Sequence, residues 1–312
     1  MYVDIRRGLV YFDRSDRVLG APPLRRYDPG DGRLYAVPGA TDDDVVCDVS
    51  RDGRLALRSA EWLAVRGANR SRLGFVSAGQ APSVSERLLS HWSVFDPSGQ
   101  RALVGTLNGK ARPVTMDTAT CEVLATMARE VDARNGEIDP DDGRLWVPDP
   151  RKADAVLRVD CADASAERVA LAVGGAVVRV RFARDGASLL VVGERGTLSR
   201  HARDGTTLWS LDFSAIGDTG AGHLFLNQAG THALLSLPAS KHSGWGEDLV
   251  VELERGRIEA NLLRQRGPPA RLAADWFGDR VLSHAGEILD FFSGNIVAEL
   301  GTQVRAAAAE AA

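Results

Sequence analysis

The sequence predicts an all-β fold, a single β-propeller of seven four-stranded antiparallel blades. Two observations carry this prediction: one sequence pattern around a tight turn recurs along the 312-residue chain, and the glycines that mark six of its copies lie 43 to 48 residues apart, with a seventh copy a little closer. A period in the forties is what a four-stranded propeller blade requires, at about 40–45 residues. The runs flanking the turns are short and rich in Val, Leu and Phe, which favours strands over helices.

The repeated phrase is an apolar run, a turn with Asp or Asn and Gly, and a second apolar run. Its clear copies are 49–57, 95–104, 138–147 and 182–191, and its weaker copies are 11–19, 226–235 and 276–282. Gly has no Cβ to clash at positive φ, so a tight hairpin turn is the place where it is needed. We therefore expect the turn glycines, which are Gly53, Gly99, Gly143, Gly186, Gly230 and Gly278, to have positive φ.

The repeat divides the chain into a propeller domain over residues 1–304 and an Ala-rich tail over 305–312, which we expect to be frayed. The expected blades are approximately 1–41, 42–84, 85–132, 133–174, 175–219, 220–267 and 268–304. Within 169–183, Val173, Val177, Val178, Val180 and Phe182 form a nearly continuous apolar run, which predicts that the inner strand of the fifth blade is covered on both faces. Six or eight blades stay possible, because 2–5 could pair with the last blade.

Composition limits the function classes and the cellular compartment that the chain is expected to have. The 38 Lys and Arg nearly balance the 42 Asp and Glu, which argues against a dedicated nucleic-acid binder. No apolar run approaches the ~20 residues that cross a bilayer, and the first residues lack a secretory pattern, so we expect a cytoplasmic protein. The cysteines Cys47, Cys121 and Cys161 are odd in number and widely spaced, which predicts neither a disulfide framework nor a metal pair. Arg far outnumbers Lys, as is common in a GC-rich bacterial genome.

The repeated phrase resembles the inner hairpin of WD40-type propellers, over about 8–301 and at the level of the repeat alone. The chain is also similar to the YVTN and quinoprotein-like bacterial repeats. It departs from the WD40 signature, because the Trp-Asp pair is replaced by Tyr27-Asp28, Met116-Asp117 and Val159-Asp160. The hydrogen-bonded tetrad of that family therefore cannot be transferred to any blade.

A second, local resemblance covers one blade. The segment Asp139–Asp149, which reads DPDDGRLWVPD, looks like a blade of the NHL or gluconolactonase-type propellers. Those lactonases hold a divalent cation on the propeller axis with Glu, Asn and Asp. The resemblance implies, as an alternative, an enzyme with its site at the axial face: a metal-dependent lactonase or hydrolase, or a lyase.

The strongest candidate for a binding site is the loop 238–248 of the sixth blade, the longest polar insertion between two strand-like runs. Long loops in compact domains are often functional. Trp245 lies between two glycines and can serve as an exposed aromatic anchor or fold back over a neighbouring blade. Lys241, His242, Glu247 and Asp248 would form a polar rim around it.

Other candidates are weaker. The Ser-, Gly- and Pro-rich stretch 77–87 predicts a second loop, and the acids 42–44 form an acidic corner that is more typical of a solvated loop. Among the six histidines, which show no metal-ligand spacing, His91 and His223 begin inner strands and are best placed to approach the channel. The glycine-rich 217–222 lacks the helix of a phosphate loop.

The sequence thus favours a non-catalytic cytoplasmic propeller scaffold that binds a protein or peptide partner through one face. It predicts no metal, no cofactor, no nucleic-acid or membrane partner, and a monomer. The catalytic residues of the alternative enzyme are not identified, and binding of a carbohydrate or small molecule without turnover is a third possibility. Fold alone does not decide between them.

Overall fold

The computed structural model of the chain describes residues 2–4, 7–12, 24–38, 40, 44–63, 68–76, 83–85, 90–106, 112–215, 223–237, 247–263, 272–276, 278–283 and 285–310. Within these ranges the chain forms seven four-stranded antiparallel sheets, each built from four consecutive strands. The predicted fold class, an all-β propeller of four-stranded antiparallel blades, is confirmed. The sheets are called blades 1 to 7 in chain order.

The chain divides into two compact units. The first contains residues 1–134, 159–166 and 301–312, and the second contains 135–158 and 167–300. Blades 1 to 3 lie in the first unit. Blades 5 to 7 and most of blade 4 lie in the second.

The first unit contains twelve described strands in its three blades. Blade 1 consists of β1 (Tyr2–Asp4), β2 (Leu9–Phe12), β3 (Arg25–Asp28) and β4 (Arg33–Ala36). Blade 2 consists of β5 (Asp44–Val49), β6 (Leu55–Leu63), β7 (Ala68–Val76) and β8 (Ser83–Ser85). Blade 3 consists of β9 (Ser90–Phe95), β10 (Arg101–Thr106), β11 (Val114–Asp117) and β12 (Val123–Thr126).

The remaining blades follow a short 3₁₀ turn at Ala133–Asn135. Blade 4 consists of β13 (Glu137–Ile138), β14 (Leu145–Pro148), β15 (Ala155–Val159) and β16 (Ala166–Ala170). Blade 5 consists of β17 (Val177–Phe182), β18 (Ser188–Gly193), β19 (Thr197–Ala202) and β20 (Thr207–Asp212). Blade 6 consists of β21 (His223–Leu226), β22 (His232–Ser236), β23 (Glu247–Glu252) and β24 (Arg257–Leu263). Blade 7 consists of β25 (Leu272–Trp276), β26 (Arg280–Ser283), β27 (Glu287–Asp290) and β28 (Ile296–Glu299).

The turns of the repeated phrase have the expected backbone. All six turn glycines have φ between 66° and 92°, so the prediction of positive φ is confirmed. In blades 3 and 5 the glycine N–H closes the turn by donating to the carbonyl three residues earlier, at Asp96 (3.0 Å) and Ala183 (2.9 Å). In blade 4 the turn is one residue longer, and Gly143 donates to Asp139 at 2.9 Å.

Two expectations differ from the structure at the chain ends. Strand β1 pairs with β2 in the first sheet, with Tyr2 opposite Tyr11, and does not supply an edge of the last blade. The expected frayed tail is an α-helix, α1 (Leu300–Glu310). Its ordering has a packing cause, because Leu300, Val304 and Ala307 recur on one side of the helix and are buried.

A third expectation concerned the inner strand of blade 5. In β17, Val177, Val180 and Phe182 are buried and the other three residues, 178, 179 and 181, are half-buried. The strand is therefore not covered evenly on both faces. The second strand, β18, is buried at all six positions. The two arginines of β17 explain the difference, because a guanidinium group seeks a polar environment.

The hydrophobic core lies between consecutive blades. In the first unit one cluster joins blades 1 and 2 and another joins blades 2 and 3. In the second unit three clusters join blades 4 and 5, 5 and 6, and 6 and 7. Within each unit the facing sheets of consecutive blades thus cover one another, which is why the strands carry apolar side chains on both faces.

Candidate functional site

Carboxylates near the ends of first strands connect neighbouring blades. Asp48 of blade 2 accepts a hydrogen bond from the Phe95 backbone N–H of blade 3 at 2.7 Å. In the second unit, Glu137 of blade 4 accepts from the Phe182 N–H of blade 5. In each case the acid lies at or next to the end of its first strand, and the donor is the last residue of the next first strand.

Blade 7 has an acid at the same position of its first strand, but this acid connects to the preceding blade instead of the following one. Asp275, the penultimate residue of β25, accepts from the Leu226 N–H of blade 6 at 2.8 Å. Asp275 is 3% exposed, so its charge needs a nearby cation.

That cation is Arg181, the penultimate residue of β17. Its Nη2 donates to Asp275 Oδ2 at 3.2 Å and its Nη1 donates to the Leu224 carbonyl at 2.9 Å. Its Nε lies 3.2 Å from Glu137 Oε2. A second arginine, Arg184, also donates to Asp275 Oδ2, again at 3.2 Å. We call Glu137, Arg181, Arg184 and Asp275 the inner charge cluster.

The electrostatics of the inner charge cluster favour the charged form of Arg181. Burial alone would lower the pKa of Arg181, but the carboxylates of Glu137 and Asp275 hold that pKa above its ordinary value. Because both acids are ion-paired and accept backbone N–H groups, they act as connections between blades. Glu137 and Asp275, which would otherwise be candidate ligands for a metal cation, are therefore engaged in ion pairs with Arg181.

The sequence analysis did not single out Arg181, although a signal existed. In Val177–Phe182 the arginines at 179 and 181 alternate with apolar residues. A charge inside an otherwise apolar first strand marks a position that requires a partner acid. The identity of that acid depends on which blades are neighbours, which the repeat spacing does not give.

A second group of polar side chains lies at the strand ends of blade 6. His223 begins β21, Ser236 ends β22 and Asp248 is the second residue of β23. The sheet register places His223 opposite Ser236 and Ser236 opposite Asp248, so the three residues form one row across adjacent strands. Next to the row, Asn261 Nδ2 donates to Glu247 Oε2 at 2.9 Å.

The row does not have the order of a catalytic triad. In a triad the imidazole lies between the nucleophile and the acid, since it bonds to both. Here Ser236 occupies the middle position. Asp248 is 4% exposed and His223 is exposed, so the row grades from a buried acid to a solvent-facing imidazole.

The predicted loop is described only at its end. Lys241, His242 and Trp245 lie outside the described residues, whereas Glu247 and Asp248 are placed in β23, at the base of the loop. Asp248 is largely buried and Glu247 is half-buried. Whether these five residues bind a partner stays a prediction.

Several weaker candidates also lie outside the described residues. These are 77–82, 86–87, Asp42, Asp43, 217–222 and His284. Asp44 is described and buried at the start of β5, and His91 lies in β9.

Two other histidines belong to side-chain networks. His201 is fully buried, and its Nε2 lies 2.8 Å from Ser199 Oγ. Burial lowers the pKa of His201, so the neutral imidazole is favoured. His232 lies 3.0 Å from Glu259 and stacks edge-on against Phe292.

The acids of the lactonase-like segment are occupied by turns and arginines. Asp139 and Asp149 are buried; Asp139 accepts from Arg203 and Asp149 from Arg168, each at 2.7 Å. Asp142 accepts from Arg158. In the part of the chain that the structure describes, no three His, Cys, Asp or Glu side chains are grouped so as to hold a metal ion. Over the same residues, no helix has the length and apolar character needed to span a bilayer.

Comparison with known proteins shows the fold alone. No family model and no curated protein sequence matches the chain. Among solved structures it is similar to dihydro-heme d1 dehydrogenase NirN in complex with DHE, with 15% identity and a TM-score of 0.55 over 96% of this chain and 64% of that one. It also matches the hydrazine synthase of Kuenenia stuttgartiensis, with 15% identity and a TM-score of 0.48 over 66% of this chain and 58% of that one. The chain thus spans less than two thirds of the length of either structure.

Proposed function

We propose that the chain is a non-catalytic propeller module that binds a protein or peptide partner through the end of blade 6 that carries the loop 238–246. The observation that supports this proposal is the row of His223, Ser236 and Asp248 with Glu247 beside it. It places a graded set of polar and charged groups at the strand ends between which the segment 238–246, with its aromatic residue Trp245, is inserted in the sequence. Aromatic anchors with a polar surround are typical of protein interfaces.

The proposal includes a cytoplasmic location and membership of a divergent WD40-like or YVTN-like group of propellers. Both are carried by the sequence patterns. The axial enzyme is the less favoured function, because Glu137 and Asp275, the acids of the inner charge cluster, are ion-paired with Arg181. The dehydrogenase activity for which NirN is named is not transferred to this chain, since a 15% identity supports only the fold.

Trp245→Ala tests the proposal. We expect it to leave the melting temperature nearly unchanged and to weaken binding to the partner at least several-fold, because a large amphipathic contact is lost. Co-purifying proteins would be quantified by mass spectrometry for wild type and variant, and the affinity of the enriched partner would then be measured by calorimetry.

Phe292→Ala is the matched control, since Phe292 is an aromatic residue that is 40% exposed on another blade. It should leave binding unchanged. A large fall in the melting temperature of Trp245→Ala would identify Trp245 as a packing residue. Unchanged binding with unchanged stability would place the functional surface elsewhere.

A further inference from the structure

A cleft of about 540 Å³ lies between blades 4 and 5 in the second unit. Its walls come from Trp146 of β14, Arg158 of β15, the outer strand β16, and the turn at Arg203 and Asp204 between β19 and β20. A volume of this size is within the range of small-molecule sites. The three arginines Arg158, Arg168 and Arg203 all line it.

The cleft contains buried donors that have no acceptor. Trp146 is only 1% exposed, and its buried indole N–H has no hydrogen-bond partner among the described residues. The Nε–H of Arg158 is also buried and has no hydrogen-bond partner among the described residues. The Arg158 guanidinium lies 5.7 Å from the Trp146 ring centroid. Buried donors are nearly always satisfied in folded proteins, by the protein, by ordered water or by a ligand.

The other two arginines add further N–H groups. Arg168 uses Nε to reach Asp149, and in the described structure its terminal amino groups make no hydrogen bond. Arg203 uses Nε and Nη2 for the Gly186 carbonyl, Asp139 and Asp141, which leaves Nη1 over. The acids thus fix the positions of the two guanidinium groups, while other N–H groups of Arg168 and Arg203 remain for a ligand.

The charge of the cleft selects among ligands that accept hydrogen bonds. Arg168 is paired with Asp149, whereas Arg158 and Arg203 are each paired with two acids: Asp142 and Glu167, and Asp139 and Asp141. Two acids, Glu167 and Asp204, line the cleft themselves and form its rim. The rim is therefore negative and disfavours an anion, while it offers carboxylate acceptors to a ligand that also donates.

We infer that this cleft binds a neutral polyhydroxylated ligand, of the size and chemistry of a small saccharide. Each hydroxyl group accepts one hydrogen bond and donates another, so a polyol can accept from the N–H groups of Arg168 and Arg203 and donate to the rim carboxylates. Val169 and Ala170 in the outer strand supply an apolar wall for its C–H groups. In the free protein water satisfies the exposed N–H groups of Arg168 and Arg203, and the ligand replaces it.

The test uses the full-length chain and the indole N–H signals of its six tryptophans in a ¹⁵N-correlated NMR spectrum. Trp146→Phe, which keeps an aromatic ring, identifies the Trp146 signal by its loss. Glucose, maltose and N-acetylglucosamine are titrated at millimolar concentrations, and inorganic phosphate and citrate form the anionic arm. We expect a saturable shift of the Trp146 signal with at least one saccharide and none with the anions.

Arg168→Gln should weaken the saccharide response by roughly tenfold, the effect of losing one good hydrogen bond to a charged group. Arg257→Gln is the control, because Arg257 lies in the separate cleft between blades 5 and 6 and is 61% exposed. A Trp146 signal that moves only with phosphate or citrate, that responds to no probe, or that keeps its full saccharide response in Arg168→Gln would overturn the inference.

Discussion

The two compact units use the same backbone connection with different electrostatic partners. In the first unit, Asp48 accepts from the Phe95 N–H and also from the Tyr2 hydroxyl at 3.0 Å. In the second, Glu137 and Asp275 accept equivalent N–H groups but are bridged by Arg181. A neutral phenol stabilises a carboxylate by a hydrogen bond, whereas a guanidinium group also neutralises it. The second unit therefore depends more strongly on a single side chain.

The largest effect is expected for Arg181→Met. Removing the cation leaves two acids with less charge compensation, one of them almost fully buried, so the free energy of unfolding should fall by about 3–5 kcal/mol. Urea denaturation measures the change. Adding Asp275→Asn should restore part of the loss, because Asn still accepts from the Leu226 N–H without a charge. If the double variant is no more stable than Arg181→Met, charge is not the cause.

The turn glycines provide a second comparison of the units. Alanine at Gly230 would place its Cβ 2.3 Å from Arg184 Cβ, whereas at Gly99 the nearest atom is Asp52 Oδ1 at 2.9 Å, the end of a side chain that can move. Both variants carry the strain of positive φ, about 1–2 kcal/mol. Overpacking adds about 1–3 kcal/mol where the neighbour cannot move. Thermal unfolding should rank Gly230→Ala as the less stable; equal losses would mean that strain alone acts.

Asp48→Ala should cost about 1–3 kcal/mol, because the Phe95 N–H loses its carboxylate acceptor. Asp48→Asn should cost less, since its amide oxygen can still accept some of the three hydrogen bonds, which come from Tyr2, Val49 and Phe95. Chemical denaturation of both variants tests whether hydrogen bonding or charge matters in the first unit. A large loss in Asp48→Asn would show that charge matters there as well, and the contrast between the units would disappear.

The smallest effect is a pH dependence. Burial lowers the pKa of His201 in the folded protein, so the unfolded state takes up the proton first. The stability contributed by the neutral imidazole is present above the ordinary histidine pKa of about 6.5 and is lost as the pH falls through and below it. Unfolding free energies between neutral and mildly acidic pH should decline less steeply in His201→Gln than in wild type. Parallel slopes would contradict this assignment.

Local features of the fold could be predicted from the sequence. Turn glycines such as Gly53 and Gly186 have the expected φ. The four strands of blade 5 lie within one residue of the bounds that the apolar runs predict, which are 177–182, 188–192, 198–201 and 207–211. These features depend on a few neighbouring residues. The inner charge cluster could not be predicted, because Glu137 and Asp275 are 138 residues apart and meet at Arg181 only once the blades are arranged.

The candidate site was predicted only in outline. The sixth blade was selected by loop length, and Glu247 and Asp248 do lie at the loop base, but the burial of Asp248 was not foreseen. The hydrophobic pattern places 247–248 next to the strand without saying whether they belong to it. The Ala-rich tail after Arg305 was recognised as a helix former but expected to be frayed, because two of the buried positions that anchor α1, Leu300 and Val304, precede it.

Every described sheet is made of four consecutive strands, β1 to β4 in the first and β25 to β28 in the last. Strand pairing therefore joins residues that are near each other along the chain, and the entropy lost on closing each hairpin is small. Chain synthesis completes the strands of one sheet before those of the next appear. An unfinished chain thus never waits for its far end to pair an early strand, and each new sheet offers a surface on which the following one can assemble.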